Sequence, residues 1–283
     1  MKRLIILFAA FGLVAAPVAA RHSSPVAAVA AAPQTLQLPA SNGRKIPLTI
    51  WLAAKPKGVI LFGHGMGGSP AAYAALIGRW VAGGYNVVAA LSPDSMGNPL
   101  HASIDLPTGF GMRAEDLMVA RSYIAQRFAG QKVVLAGHSY GSLFALMGGG
   151  ALTPAGNLGG PPVAAIIAFS TPGKIEGLIT PATYGPVKAP LLLVTGTADI
   201  VPGFVPDAKD HRYPFETSAA GGKYLVTVKG GTHDIAERST DAVFAPVASL
   251  TLTFLNAVVA HDKAARARLT AAKSTPLYTL ERR

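Results

Sequence analysis

Five apolar runs without polar alternation mark strands that are predicted to be buried on both faces. Between them lie segments with helical spacing, such as Arg113–Phe128, and a closing helix is predicted from about Pro246. Strands that alternate with helices predict an α/β fold, a mostly parallel sheet of about eight strands with helices on both faces. The runs are Gly58–Phe62, Tyr85–Leu91, the run from Lys132, Val163–Phe169 and Leu191–Thr195, with further strands predicted at Thr35–Leu38, Lys45–Ala53 and Lys223–Val228.

The ends of the chain differ from the middle in composition. Residues 1–20 combine a basic start, a short apolar stretch and the small residues Val18-Ala19-Ala20, which is the pattern of a secretory signal. An uncleaved membrane anchor is the alternative reading. We expect an Ala/Pro/Ser-rich leader over 21–33, one α/β domain over 34–262, and a solvated basic tail over 263–283.

Charge and cysteine usage narrow the classes of function. The chain has a formal charge of +11 but no basic stripe interleaved with aromatic residues, so we predict no nucleic-acid partner. With no cysteine, there is no disulfide, lipid-attachment cysteine or thiol nucleophile. The expected location is the periplasm or the medium, without stable membrane insertion after signal cleavage. The oligomeric state is not predicted.

The run from Lys132 ends in Gly137-His138-Ser139-Tyr140-Gly141, and an apolar helix-forming segment follows. A strand, a Gly-x-Ser-x-Gly turn and a helix together are typical of a nucleophile elbow, with the serine on a strained turn. A side chain at Gly137 or Gly141 would collide with a neighbouring element. Ser139 is therefore the predicted nucleophile.

A serine nucleophile needs a base, and the base needs an acid to orient it. In this architecture the order along the chain is nucleophile, acid, base. Asp199 follows the strand Leu191–Thr195, and His233 follows the last strand, so both are predicted at the edge that holds Ser139. Asp207, Asp210 and Asp94 remain alternatives for the acid.

The other histidines are predicted to have supporting or surface positions. We expect His64 to support its loop and His138 to pack behind the elbow, while the positions predicted to be exposed are His101, His211 and His261.

The oxyanion that forms in acyl transfer needs two N–H donors. The amide after the nucleophile, that of Tyr140, is one candidate. The glycine-rich loop after the strand Gly58–Phe62 offers the other at Met66. No metal-ligand spacing and no phosphate-binding loop is found, so neither metal nor cofactor is predicted.

These motifs resemble those of the α/β-hydrolase superfamily, within it the exported branch related to dienelactone hydrolases and platelet-activating-factor acetylhydrolase-like esterases. The resemblance runs from about Gly58 to His233. Besides the elbow, it rests on His64-Gly65-Met66-Gly67-Gly68, Thr195-Gly196-Thr197-Ala198-Asp199 and Gly231-Thr232-His233. It implies a serine hydrolase that cleaves small carboxylic esters through an acyl-enzyme. The alternatives are amide, thioester, lipid or polyester substrates, or a catalytically silent binding protein of this fold.

Substrate size is predicted from the loops around the elbow. The segment Thr171–Pro190 contains four prolines and three glycines, so a packed helical cap is not expected. Loops at Ser92–Gly111, Thr171–Pro190 and 200–222 would then form the walls of an open cleft. Substrate contacts are predicted at Phe110, Tyr184 and Phe204. Such a cleft favours acyl chains of about C2 to C6 and no interfacial activation.

Overall fold

The computed structural model describes residues 32–238 and 240–283; the predicted signal and most of the predicted leader lie outside them. The described chain forms one sheet of nine strands. The strands are β1 Gln34–Pro39, β2 Lys45–Trp51, β3 Gly58–Gly63, β4 Tyr85–Ala90, β5 Val133–His138, β6 Ala165–Phe169, β7 Leu191–Gly196, β8 Lys223–Val228 and β9 Tyr278–Arg282. The helices are α1 Ala74–Ala82, α2 Leu106–Arg127, α3 Tyr140–Gly148, α4 Tyr213–Thr217, α5 Phe244–Val258 and α6 Lys263–Ala271.

The sheet order is β1-β2-β4-β3-β5-β6-β7-β8-β9. Strands β3 to β8 pair in parallel, whereas β1, β2 and β9 join the sheet antiparallel. After β4 the chain returns to the other side of β3, so β3 and β5 are neighbours and Gly63 pairs with Gly137. A change of winding direction opens a crevice at the carboxyl ends of such strands. The predicted mostly parallel α/β sheet is confirmed.

Two apolar layers cover the sheet because successive residues of a buried strand point to opposite faces. On β3, Ile60 and Phe62 face α1 and α5, and they pack in one layer with Trp80 and Phe254. Val59 and Leu61 face the other side and belong to the layer that includes Ala120 and Ile124 of α2. The two layers fix the strands, and with them the loops at the strand ends.

The boundaries differ from the predictions in two places. Helix α2 begins at Leu106, where the Asp105 side chain accepts a hydrogen bond from the Thr108 N–H, so the end of the predicted loop Ser92–Gly111 is helical. The segment 263–283 is not a solvated tail but contains α6 and β9, because Leu269 and Leu280 are buried in the core.

As predicted, residues 171–190 contain no helix. No helix of the described residues is long and apolar enough to cross a membrane.

Candidate active site

Ser139 lies in the turn between β5 and α3 with φ of 50° and ψ of −123°. Residues other than glycine rarely adopt positive φ, so this turn is strained. Gly137 permits it, because a Cβ there would come within 2.5 Å of the Gly141 backbone. A Cβ on Gly141 would strike the Gly63 carbonyl of β3. The two glycines therefore let the elbow sit directly against the neighbouring strand.

The structure brings Ser139, His233 and Asp199 into one continuous hydrogen-bonded chain. Ser139 Oγ lies 2.8 Å from His233 Nε2, and His233 Nδ1 lies 2.7 Å from Asp199 Oδ1. The second carboxylate oxygen of Asp199 accepts from Thr195 Oγ1 at 2.8 Å. Because Nδ1 faces a carboxylate, it carries the proton in the neutral ring, and the lone pair of Nε2 faces the serine hydroxyl.

The loops that carry Asp199 and His233 are held together by hydrogen bonds that backbone N–H groups donate. The Ala198 N–H donates to the Gly231 carbonyl, and the Gly230 N–H donates to Thr197 Oγ1. Gly196 makes this approach possible, because a Cβ there would collide with the Gly231 carbonyl. The register of β7 against β8 pairs Gly196 with Val228, so the two loops leave the sheet side by side.

Asp199 is fully buried. Burial raises its pKa, but hydrogen bonds from His211 and His233 outweigh this and hold the pKa far below its usual range. Asp207 and Asp210, the alternative acids, lie elsewhere: Asp207 caps a 3₁₀ turn and Asp210 pairs with Lys174. The third alternative, Asp94, forms an ion pair with Arg113.

Met66 and Tyr140 come from different elements: Met66 lies in the loop after β3, and Tyr140 begins α3. Tyr140 is the first residue of α3, where a helical N–H has no partner within the helix. In the described part of the chain, the Met66 N–H has no hydrogen-bond acceptor. Both residues line the same cavity as Ser139. These amides are consequently available as oxyanion donors.

An ion pair between the buried Arg113 and the half-buried Asp94 holds the loop that contains Met66. Arg113 Nε and Nη2 donate to the two carboxylate oxygens of Asp94, at 2.5 and 2.8 Å. Arg113 also donates to the carbonyls of His64 and Gly65, and Asp94 accepts from the Gly67 N–H. The guanidinium lies 4.8 Å from the centre of the Tyr140 ring. One ion pair therefore contacts both sides of the candidate oxyanion hole.

His64 and His138 are buried behind the loops, as predicted. His64 Nε2 accepts from the Ser92 N–H, and His138 Nε2 lies 2.6 Å from the carbonyl oxygen of His233. Burial is the main cause that lowers the pKa of each ring to about 4. Tyr73 completes this wall: its hydroxyl accepts from the Gly65 N–H and contacts His138 Nδ1 and Glu237.

A cavity of about 360 Å³ opens at Ser139. Of the three predicted substrate contacts, Phe110 and Phe204 line this cavity, whereas Tyr184 does not. Tyr184 is fully buried, and its hydroxyl points to the Pro172 carbonyl, so it supports the loop from behind. Apolar side chains dominate the lining of the cavity and include Met66, Leu106, Phe110, Ile175, Leu178, Val201, Phe204 and Val205.

His101 and His261 are exposed, as predicted, but His211 is not. The ring of His211 is fully buried against the Asp199 carboxylate. Asp199, His211 and His233 together could supply three ligand atoms to a metal ion. Both histidines, however, direct a ring nitrogen at the same carboxylate oxygen at hydrogen-bond distance. A metal ion there would compete for the nitrogen that orients His233.

Sequence reasoning missed His211 and the Arg113–Asp94 pair. The one available signal for Arg113 was its place in a helix next to the apolar positions Leu117 and Ala120. Nothing in the local sequence distinguishes His211 from a surface histidine.

The site can be compared with known proteins at this point. No protein-family model matches the chain, and comparison with curated protein sequences gives no match either. Among solved structures, it is similar to a thermostable carboxyl esterase from Bacillus coagulans, with 15% identity over 81% of this chain and 99% of that chain and a TM-score of 0.63.

Two further structures show the same architecture. An esterase from Pyrococcus furiosus, Pf2001, has 14% identity over 81% of this chain and 91% of its own, with a TM-score of 0.59. An alpha-beta serine hydrolase homologue from Coxiella burnetii has 16% identity over 77% and 95%, with a TM-score of 0.58. At these identities the likeness is one of fold. The chain has the α/β-hydrolase fold, as the sequence resemblance predicted.

Proposed function

We propose that the protein is a serine hydrolase that cleaves carboxylic esters through an acyl-enzyme. The observation that carries the proposal is the unbroken series of contacts from Ser139 Oγ through His233 to Asp199. A protein that only binds a ligand has no need of a strained serine held against a histidine base. The esterase names of the structural neighbours agree with this proposal.

The steps follow from the geometry. Ser139 Oγ attacks the ester carbonyl as His233 Nε2 takes the hydroxyl proton, and Asp199 stabilises the resulting imidazolium. The amides of Met66 and Tyr140 donate to the carbonyl oxygen, which now carries the negative charge. His233 then gives the proton to the departing alkoxide, and the carbon–oxygen bond to the alcohol breaks. Water then attacks the acyl-enzyme as His233 takes its proton, and His233 returns that proton to Ser139 Oγ as the bond to the acyl group breaks and the acid leaves.

The cavity supports a small ester as substrate. A volume of about 360 Å³ lies at the small end of the range of ligand pockets, which is about 300 to 1,000 Å³. The acyl and alcohol parts have to share this space. The loop 171–190 adds no helical lid. We therefore infer a preference for acyl chains of about C2 to C6, without interfacial activation.

The test is hydrolysis of p-nitrophenyl esters from acetate to laurate by wild type and by Ser139→Ala. We expect Ser139→Ala to lower kcat by at least about 10⁴-fold with the fold intact, because the elbow accepts a smaller side chain. Ser122→Ala, on the exposed face of α2, is the matched control and should behave as wild type. Activity of Ser139→Ala above a tenth of wild type rules out the mechanism, and kcat/KM that rises steadily to laurate rules out the short-chain preference.

We also propose export of the protein, on the sequence of residues 1–20 alone. The mature chain would then begin at Arg21. Intact mass of the protein recovered from periplasm and medium tests this, and a mass that retains residues 1–20 contradicts it.

A further inference from the structure

His211 is a buried histidine in contact with the triad that the steps above do not use. It lies in the 3₁₀ turn Ala208–Arg212, which follows the loop after Asp199. Asp207 begins this turn by accepting a hydrogen bond from the Lys209 N–H. The His211 ring is fully buried, and its centre lies 5.8 Å from that of His233. The Asp199 carboxylate is therefore contacted by two imidazole rings.

Both ring nitrogens of His211 face only oxygen acceptors. Nδ1 lies 2.6 Å from the Thr171 carbonyl oxygen. Nε2 lies 3.0 Å from the Asp199 carbonyl oxygen and 3.0 Å from Asp199 Oδ1. Carbonyls and carboxylates accept but do not donate. A neutral ring has one N–H and would hold a bare lone pair against a buried oxygen, which is costly. The doubly protonated imidazolium satisfies every contact.

The charges around His211 agree with this protonation state. Burial lowers its pKa, but the hydrogen bond and negative charge of Asp199 and the backbone carbonyls raise it above the usual value. On its own turn, Asp210 pairs with Lys174 of the loop 171–190, and Arg212 pairs with Glu216 and Glu281. Asp199 is thus the anion directly against the ring, and His233 is the titratable group on the far side of it.

We propose that His211 is a positioning residue of the triad, an imidazolium that fixes the Asp199 carboxylate toward His233 and offsets part of its charge. This inference rests on the proposed serine hydrolase function. A cation on one side of Asp199 opposes formation of a second cation on the other. The opposition acts on the step in which His233 takes the serine proton, because that step creates the second cation. His211 touches neither substrate nor the reacting atoms.

Two substitutions separate the charge from the hydrogen bond. His211→Gln keeps an N–H donor for Asp199 but removes the charge, so the acid limb of the kcat/KM profile should move upward by about one pH unit or more. His211→Leu removes both and should also lower kcat by about tenfold or more, since general-base catalysis depends on an oriented ring. KM should change little in either. His261→Gln, an exposed histidine at the end of α5, is the matched control.

The protonation state is measured directly on the wild-type protein by nitrogen NMR of labelled histidine. We expect both ring nitrogens of His211 to carry protons from pH 6 to 8, with the resonances assigned by their absence in His211→Gln. If that variant does not fold, ring-to-backbone correlations assign them. A singly protonated ring overturns the proposal, and so does an acid limb that stays in place in a folded His211→Gln. Absence of ester hydrolysis by wild type would instead refute the proposed function, and the NMR result would still stand.

Discussion

The back and the mouth of the site are built from different kinds of residues. At the back, Asp199, His211, His138 and Tyr73 are buried, and each makes at least one hydrogen bond to another part of the site. At the mouth, Met66, Leu106 and Phe204 expose 44%, 54% and 52% of their surface. Hydrogen bonds are directional, so the polar contacts at the back fix the positions of the side chains there. The apolar side chains at the mouth can bury a ligand's surface but do not fix its orientation, because the hydrophobic effect is not directional. The proposed chemistry and the proposed choice of substrate thus belong to separate parts of the fold.

Of the substitutions considered, we expect the largest loss of kcat/KM at the back of the site. Asp199→Asn should lower kcat/KM by about 10³- to 10⁴-fold, because an amide can donate to Nδ1 and so favours the wrong tautomer of His233. Asp210→Asn makes the same chemical change 11 positions further along the chain, at a surface ion pair, and should cost less than about threefold. Steady-state kinetics on a short-chain p-nitrophenyl ester measure both. Equal losses in the two variants would remove Asp199 as the acid.

The next largest effect is expected at the Arg113–Asp94 ion pair, which holds the loop that contains Met66. Arg113→Met removes the donors that hold the His64 and Gly65 carbonyls, so kcat should fall by about 10- to 100-fold with KM within a few-fold, less than the loss of an oxyanion donor itself can cost. Arg121→Met is a matched control on the same helix, because Arg121 likewise donates to backbone carbonyls, three of them, but away from the site.

Both arginine variants should lose stability in denaturant melts, since each leaves buried carbonyls without donors. Only in Arg113→Met should kcat fall by more than the smaller fraction of folded protein explains. A parallel loss of kcat in both variants would show that Arg113 supports the fold and not the loop.

The smallest effect is expected at the mouth. Leu106→Ser should raise KM for a hexanoate ester by a few-fold and leave kcat unchanged, because a buried methylene is worth about 0.8 kcal/mol. The effect should shrink for the acetate. Leu277→Ser, on an exposed leucine outside the cavity, is the control. The same change of KM for the hexanoate and the acetate in Leu106→Ser would show that the acyl chain does not reach this wall.

What could be predicted from sequence follows the same division. Gly137 and Gly141 around Ser139, and the positions of Asp199 and His233 at strand ends, are readable because strand–turn–helix chemistry is local and the chain order is fixed by topology. His211 reaches Asp199 only through the packing of a turn against the loop 171–190, which no local pattern encodes. Packing also decides the position of Tyr184: it was predicted to contact substrate, but it is buried behind the loop 171–190.

The boundaries show a similar limit. The Gly and Pro residues near Phe110 suggested a loop, but the Asp105 cap and packing of α2 on the sheet extend the helix through them. The basic composition of 263–283 suggested a solvated tail, while a few apolar residues such as Leu269 and Leu280 are enough to attach it to the sheet.

The most direct test of the central claim is covalent labelling by a fluorophosphonate, which reacts with a serine activated as Ser139 is proposed to be. Peptide mapping of the wild-type protein should place one label, on Ser139, and Ser139→Ala should take up none. His233→Ala should slow labelling by about 10²- to 10⁴-fold, the usual contribution of a general base. A label on any other serine, or labelling of His233→Ala at the wild-type rate, would contradict the account.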